Sequence, residues 1–137
     1  MAKIRSKDTK PEIWLRKKLF RQGYRYRKNV NYIPGHPDLW MAKYNTVIFV
    51  HGCFWHRHFG CKYAYVPKSR EVFWNTKFLK NVERDRKVRE QLSELGVRIL
   101  IIWECTIKKM IKDKQCESIT IKQIMDFLNS DNKYLEL

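Results

Sequence analysis

The chain has 137 residues, 44% of them hydrophobic, with 29 Lys and Arg against 14 Asp and Glu and a formal net charge of +15 at pH 7. This length and apolar content suit a single folded domain, 1–137, rather than a disordered chain. The charge favours a polyanionic partner, nucleic acid first, since each phosphate contact releases condensed counterions. The apolar runs near Val47 and Ile99 are too short to span a bilayer, and no basic amphipathic helix with a lipid-facing stripe is visible.

In chain order, Thr9-Lys10-Pro11-Glu12 opens a helix. Thr9 caps it, Glu12 completes a T-x-x-E capping box, and Pro11 is tolerated in the first turn. Ile13, Trp14, Leu15, Leu19 and Phe20 give it an apolar face, and Gly23 ends it. Tyr24 to Val30 alternates at period two and reads as a strand. Pro34-Gly35-His36-Pro37 is a turn. Asp38 to Ala42 begins a second strand, and Lys43-Tyr44-Asn45 turns it. Thr46 to Val50 is a third strand, apolar enough for burial on both faces. A long helix capped at or near Ser69 is expected to run to about Glu94, with Trp74, Phe78, Val82, Leu92 and Leu95 inward and Lys and Arg outward. Gly96 stops it. Val97 to Trp103 is a buried strand, Ile119 to Leu128 a final helix, and the segment after about residue 130 a loose tail. Helix, three strands, helix, strand, helix indicates an α/β fold with a mixed central sheet.

Between the third strand and the long helix lies His51-Gly52-Cys53-Phe54-Trp55-His56-Arg57-His58-Phe59-Gly60-Cys61. It holds three of the four histidines and two of the four cysteines. No apolar segment follows the basic Met1–Arg5 start, so no signal peptide is read. The expected setting is cytoplasmic, where thiols stay reduced and serve as metal ligands or core residues. Cys53, His58 and Cys61 follow C-x4-H-x2-C, and Cys105 lies just past the strand that ends at Trp103. Together they make a closed Cys3His set of the kind that binds structural zinc. His56 is an alternative to His58, and buried thiols beside surface histidines are the bland alternative. Cys116 reads as an inert thiol.

Asp38 and Glu12 are candidate Mg2+ carboxylates, although a turn-forming aspartate and a capping box explain them locally. His51 and His56 suit proton transfer or phosphate contact near neutral pH. Asp85 either orients a histidine from the inner face of the long helix or joins Glu83, Arg84 and Arg86 in surface ion pairs. Phe54 and Trp55, with Trp74, either pack over the metal site or form a wedge between base pairs. Tyr24 to Lys28 interleaves bases and aromatics, which suits either a nucleic-acid backbone or a surface strand.

Taken in order, Lys7-Asp8-Thr9-Lys10-Pro11-Glu12, Pro34-Gly35-His36-Pro37-Asp38, Val50 through His58, Phe73-Trp74, Asn81 through Arg86 and Trp103-Glu104-Cys105 closely resemble the bacterial very-short-patch repair endonucleases, the DNA mismatch nicking enzymes. The likeness runs from about residue 2 to 107. It implies a restriction-endonuclease-like core and a Mg2+-dependent nick 5′ to the thymine of a T·G mismatch, the product of 5-methylcytosine deamination. It also implies residue roles. Asp38 binds Mg2+, Val50 offers its main-chain carbonyl, and Glu12 sits near the metal waters. His56 with Asp85 is the general base and His51 the second active-site histidine. Cys53, His58, Cys61 and Cys105 hold structural zinc, and Phe54, Trp55 and Trp74 wedge beside the mismatch. The implied partner is double-stranded DNA, met by a monomer associated with the bacterial nucleoid. Three features depart from the family pattern. Only eight residues precede Thr9, where relatives carry a longer arm that helps grip DNA. His36 stands where arginine is expected, and the His58–Cys61 spacer is one residue longer than in some relatives. A related nicking or restriction endonuclease with another DNA target, and a non-catalytic basic nucleic-acid-binding module, are the alternatives.

Overall fold

The computed structural model describes residues 8–137; the basic Met1–Arg5 start and Lys7 of the first motif lie outside the described residues. Five strands form one mixed sheet in the order β1 (Arg27–Lys28), β2 (Leu39–Met41), β3 (Thr46–His51), β4 (Arg98–Trp103) and β5 (Tyr134–Glu136). β1, β2 and β3 are antiparallel neighbours, whereas β3, β4 and β5 run parallel. Four helices complete the α/β architecture: α1 (Lys10–Arg21), α2 (Glu71–Glu94), α3 (Glu104–Lys112) and α4 (Lys114–Leu128).

Side chains alternate across the sheet at period two, and this divides the core. Ile48 of β3 with Leu100 and Ile102 of β4 pack under α1, α3 and α4, against Leu15, Leu19, Ile107 and Ile124. Val47 and Phe49 with Ile99, Ile101 and Trp103 face the other way, toward Leu92 of α2. His51 shares this second face, and the register sets it directly opposite Trp103. The two parallel strands therefore end together, one in a histidine and one in a tryptophan, beneath α2.

The expected capping box forms. The Thr9 hydroxyl accepts from the Glu12 N–H at 3.4 Å, and Glu12 Oε2 accepts from the Thr9 N–H at 3.2 Å. Gly23 and Gly96 end their helices as expected, in the Schellman pattern. Tyr24 N–H reaches back to the Leu19 carbonyl and Val97 N–H to that of Leu92, with each glycine at positive φ.

Several expected elements differ. The strand read over 24–30 shrinks to Arg27–Lys28, because Tyr24 is buried in the core and Asn29 adopts a left-handed conformation. Ser69 does not cap α2; Arg70 stands at the N-cap without a side-chain hydrogen bond. Phe78 and Leu92 are buried as expected and Trp74 is half-buried, but Val82 and Leu95 are 45% and 64% exposed. The inward stripe runs instead through Trp74, Phe78, Asn81, Asp85, Val88 and Leu92, at alternating spacings of four and three. Two of its central positions are polar, so apolar periodicity alone misplaced the stripe. α3 was not foreseen, and α4 starts at Lys114, where the Asp113 carboxylate caps it through Gln115 N–H at 2.9 Å. The segment after 130 is not a loose tail: Tyr134–Glu136 adds a parallel strand to β4.

Candidate active site

One cavity of about 420 Å3 gathers side chains from five parts of the fold. Glu12 comes from α1, and Asp38 follows the Pro34–Pro37 turn. Val50 and His51 end β3, His56 lies on the loop after it, and Asp85 descends from α2. The turn is held close: a Cβ on Gly35 would stand 2.5 Å from Val88 Cγ1, so only glycine fits there.

Asp38 is half-buried, and its Oδ2 accepts a 2.6 Å hydrogen bond from the Val50 N–H. Burial and the neighbouring Glu12 carboxylate push Asp38 up to about 8, with the Val50 N–H and the Arg16 charge opposing only in part. Glu12 is itself buried. Two carboxylates held together out of water are costly to ionise, and a hard cation between them relieves that cost. The donors are oxygens, which suit Mg2+ better than a softer metal.

Across the cavity, His56 Nδ1 lies 2.7 Å from Asp85 Oδ2. A carboxylate acceptor requires a proton on Nδ1, so in the neutral ring Nε2 is the nitrogen able to accept. The Glu83–Arg86–Glu90 ion pairs form on the exposed side of α2, so Asp85 is not part of them. His51 stacks on His56 with ring centroids 3.9 Å apart and planes within 6°. Burial first, then the neighbouring His56 ring and the Arg89 charge, with Asp85 opposing in part, pushes His51 down to about 3, so it is neutral at physiological pH. Ligand atoms of His51, His56 and Asp85 lie within 4.8 Å of one another. Stacked rings, however, direct their in-plane lone pairs along parallel planes rather than at one ion, and Asp85 is already engaged. That geometry suits exchange of a proton better than metal ligation.

A second cluster is of a different kind. Cys53, His58, Cys61 and Cys105 bring one ligand atom each to within 4.8 Å of the others, with Cys105 Sγ 3.4 Å from His58 Nδ1. Cys105 lies in the first turn of α3, immediately after β4. Burial pushes the Cys53 thiol up to about 12, with Cys105 beside it. Coordination removes that proton, so a soft divalent metal fits this donor set. The His58 ring stacks on Trp103, centroids 4.1 Å apart. His58 thus lies with the thiols and His56 with Asp85. Cys116 lies outside the cluster, near the Thr120 hydroxyl.

Phe54, Trp55 and Trp74 form one aromatic group: Phe54 lies 5.0 Å from Trp55 and 5.6 Å from Trp74, both nearly edge-on. All three are half-buried, backed by the buried Phe78 at 5.2 Å from Phe54. The Arg57 guanidinium sits 3.8 Å over the Phe78 ring and donates to the carbonyls of Phe54, Ala64 and Tyr65, tying the loop into a compact turn.

Sequence reasoning missed several supporting residues. Asn81 donates to the Trp55 carbonyl at 3.2 Å and so fixes the loop to α2. Its placement one turn before Asp85 on the inward stripe was the available signal. Glu136 accepts from the Trp103 indole at 2.6 Å and from the Tyr134 hydroxyl at 2.7 Å. Nothing short of the β5 pairing reveals that contact.

Carboxylate oxygens on one wall and paired imidazoles on the other, with Arg57, Arg84 and Arg89 along the lining, make a hydrolase type of site suited to an anionic ester. Residues 1–62 match the family model described as DNA mismatch endonuclease Vsr. The DNA mismatch endonuclease Vsr of Escherichia coli is 45% identical over 108 residues, covering 79% of this chain and 69% of the relative. A type II nicking enzyme of Neisseria meningitidis serogroup A, V.NmeAIP, is 44% identical over 126 residues, 92% of this chain and 89% of the relative. Another of Xanthomonas oryzae pv. oryzae, V.XorIIP, is 39% identical over 110 residues, 80% of each. The chain belongs to the Vsr family of DNA mismatch endonucleases. It is accordingly a DNA endonuclease and DNA its partner. Among the described residues no helix is long and apolar enough to cross a membrane.

Proposed function

We propose that this protein nicks one strand of duplex DNA on the 5′ side of the thymine in a T·G mismatch, the lesion left by 5-methylcytosine deamination, in very-short-patch repair. The observation that carries this reading is the 2.7 Å His56–Asp85 pair facing the Asp38–Glu12 carboxylates across one cavity. Mg2+ would be held by Asp38 and by the Val50 carbonyl, with Glu12 near its waters. In an extended strand a residue's carbonyl and N–H point the same way, and the Val50 N–H is already on Asp38. When bound, the ion supplies stabilisation of the charge that develops on the phosphate oxygens. His56 Nε2 accepts a proton from the attacking water, while Asp85 keeps the other ring proton on Nδ1 and steadies the imidazolium. His51, neutral and stacked against His56, assists at the phosphate or the leaving oxygen.

Zinc on Cys53, His58, Cys61 and Cys105 is structural in this reading, since the four ligands leave no open position for chemistry. Phe54, Trp55 and Trp74 enter beside the mismatch as a wedge, and their stacking on the opened base step offsets the cost of unstacking it. The protein works as a monomer in the cytoplasm, on nucleoid DNA.

The type II nicking enzymes among the relatives favour a second reading, in which the same site cuts a different DNA feature. Nicking rates with Mg2+ on matched duplexes carrying a T·G mismatch, a normal pair or an abasic site separate the two. Preference for T·G by an order of magnitude or more supports the first reading. Equal rates on all three, or preference for another duplex, overturn it.

A further inference from the structure

Phe59 has no part in the chemistry described above, yet it is the most exposed aromatic among the described residues, at 99% of its surface. Single exposed apolar residues are ordinary on protein surfaces and mean nothing alone. Two observations set this one apart. First, Phe59 lines the cavity that holds Asp38, His51 and His56, in company with Arg57 and Arg84. Second, the chain around it is pinned on both sides. His58 precedes it and Cys61 follows two residues later, both in the thiol–imidazole cluster. Arg57 and Gly60 flank His58-Phe59 at φ 55 and 71, which turns this short stretch outward. His58 N–H bonds to the Cys53 carbonyl at 3.0 Å and Cys61 N–H to the His58 carbonyl at 3.3 Å. An aromatic ring held out in water on a pinned turn, at the edge of the cavity that holds Asp38 and His56, is preorganised to meet a flat apolar surface. Bases offer such a surface regardless of sequence.

We infer that Phe59 is a DNA-contacting residue that stacks on a nucleobase beside the scissile phosphate, separate from the Phe54–Trp55–Trp74 group. This rests on the endonuclease reading for the identity of the ligand. The two aromatic features divide the work. The half-buried group is backed by Phe78 and can push into a stack, whereas Phe59 has no such backing and can only lie against a base already turned toward the cavity.

The test is equilibrium binding of short duplexes without added Mg2+, using the full chain and its Phe59→Ala and Phe59→Trp variants. Each is measured on an intact T·G duplex, an intact paired duplex and duplexes with one base removed on either side of the expected nick. Phe59→Ala should bind intact DNA about tenfold more weakly, Phe59→Trp should bind like the parent, and zinc content should be unchanged in both. At one of the base-removed positions the Phe59→Ala penalty should disappear, because the partner base is gone. No penalty on intact DNA, or one of equal size at every base-removed position, overturns the inference. The mismatch reading fails separately: it falls if the parent binds and nicks T·G no better than paired DNA, while the coupling between Phe59 and the removed base is still read.

Discussion

Neutral His51 has a measurable consequence for stability. Its ring is buried beside His56, which pushes it from 6.5 down to about 3. The unfolded chain therefore takes up a proton below pH 6.5 that the folded chain refuses until about pH 3. The stability held above pH 6.5 is lost progressively as pH falls through that window. The loss amounts to about 1.4 kcal/mol at pH 5.5 and about 2 kcal/mol at pH 5. Other groups titrate in the same range, so the wild-type curve alone does not isolate it. The informative quantity is the difference between wild type and His51→Phe, a ring of similar shape with no proton to bind. Urea unfolding of both proteins from pH 7.5 to 5 should show wild type losing about 2 kcal/mol more than the variant. Parallel curves would mean that His51 is protonated in the folded state, and its proposed role as a neutral partner of His56 would fall.

Three further outcomes follow from the site. Asp85→Asn should lower kcat by about 10²- to 10⁴-fold with little change in DNA affinity, because it releases the tautomer and orientation of His56; single-turnover nicking beside a binding titration checks this. Asp38→Asn should abolish nicking yet leave the Mg2+-free protein more stable than wild type at pH 8.5. Asp38, raised to about 8, holds a proton that the unfolded chain has already lost, so wild-type stability falls as pH rises from about 4 to 8, and asparagine removes that loss. Melting and nicking assays on the same sample test both halves. On the proposed zinc assignment, Cys53→Ala should bind less metal than wild type and lose about 3 kcal/mol or more of stability, measured by metal analysis and thermal unfolding.

The parts legible in the sequence were those whose signals are local. The capping box at Thr9–Glu12, the stops at Gly23 and Gly96, and the apolar runs of β3 and β4 all depend on neighbours a few residues away. The clustering of Cys53, His58 and Cys61 was legible because they crowd together in sequence, and that of Cys105 because a strand ending at Trp103 can bring it beside them. What was hidden depends on pairing across the fold. Asn81 sits on the inward stripe of α2 where an apolar pattern expects Val82, because that stretch of the helix covers a polar cavity rather than a core; Asp85, on the same stripe, had an inward place among its two readings. β5 owes its existence to hydrogen bonds with β4 and has little pattern of its own in three residues. Local reasoning gave Glu12 two readings, a capping residue and a candidate Mg2+ carboxylate. Its nearness to Asp38 emerges only when α1 packs beside the turn before β2.

The central claim is that this cavity hydrolyses one phosphodiester beside a mispaired thymine. It is tested most directly by mapping the nick on a T·G duplex labelled separately on each strand, with Mg2+ present and after chelation. One Mg2+-dependent break is expected, in the thymine strand alone, immediately 5′ to the mismatched thymine. Breaks in both strands, a break elsewhere, or the same cutting without Mg2+ would contradict it.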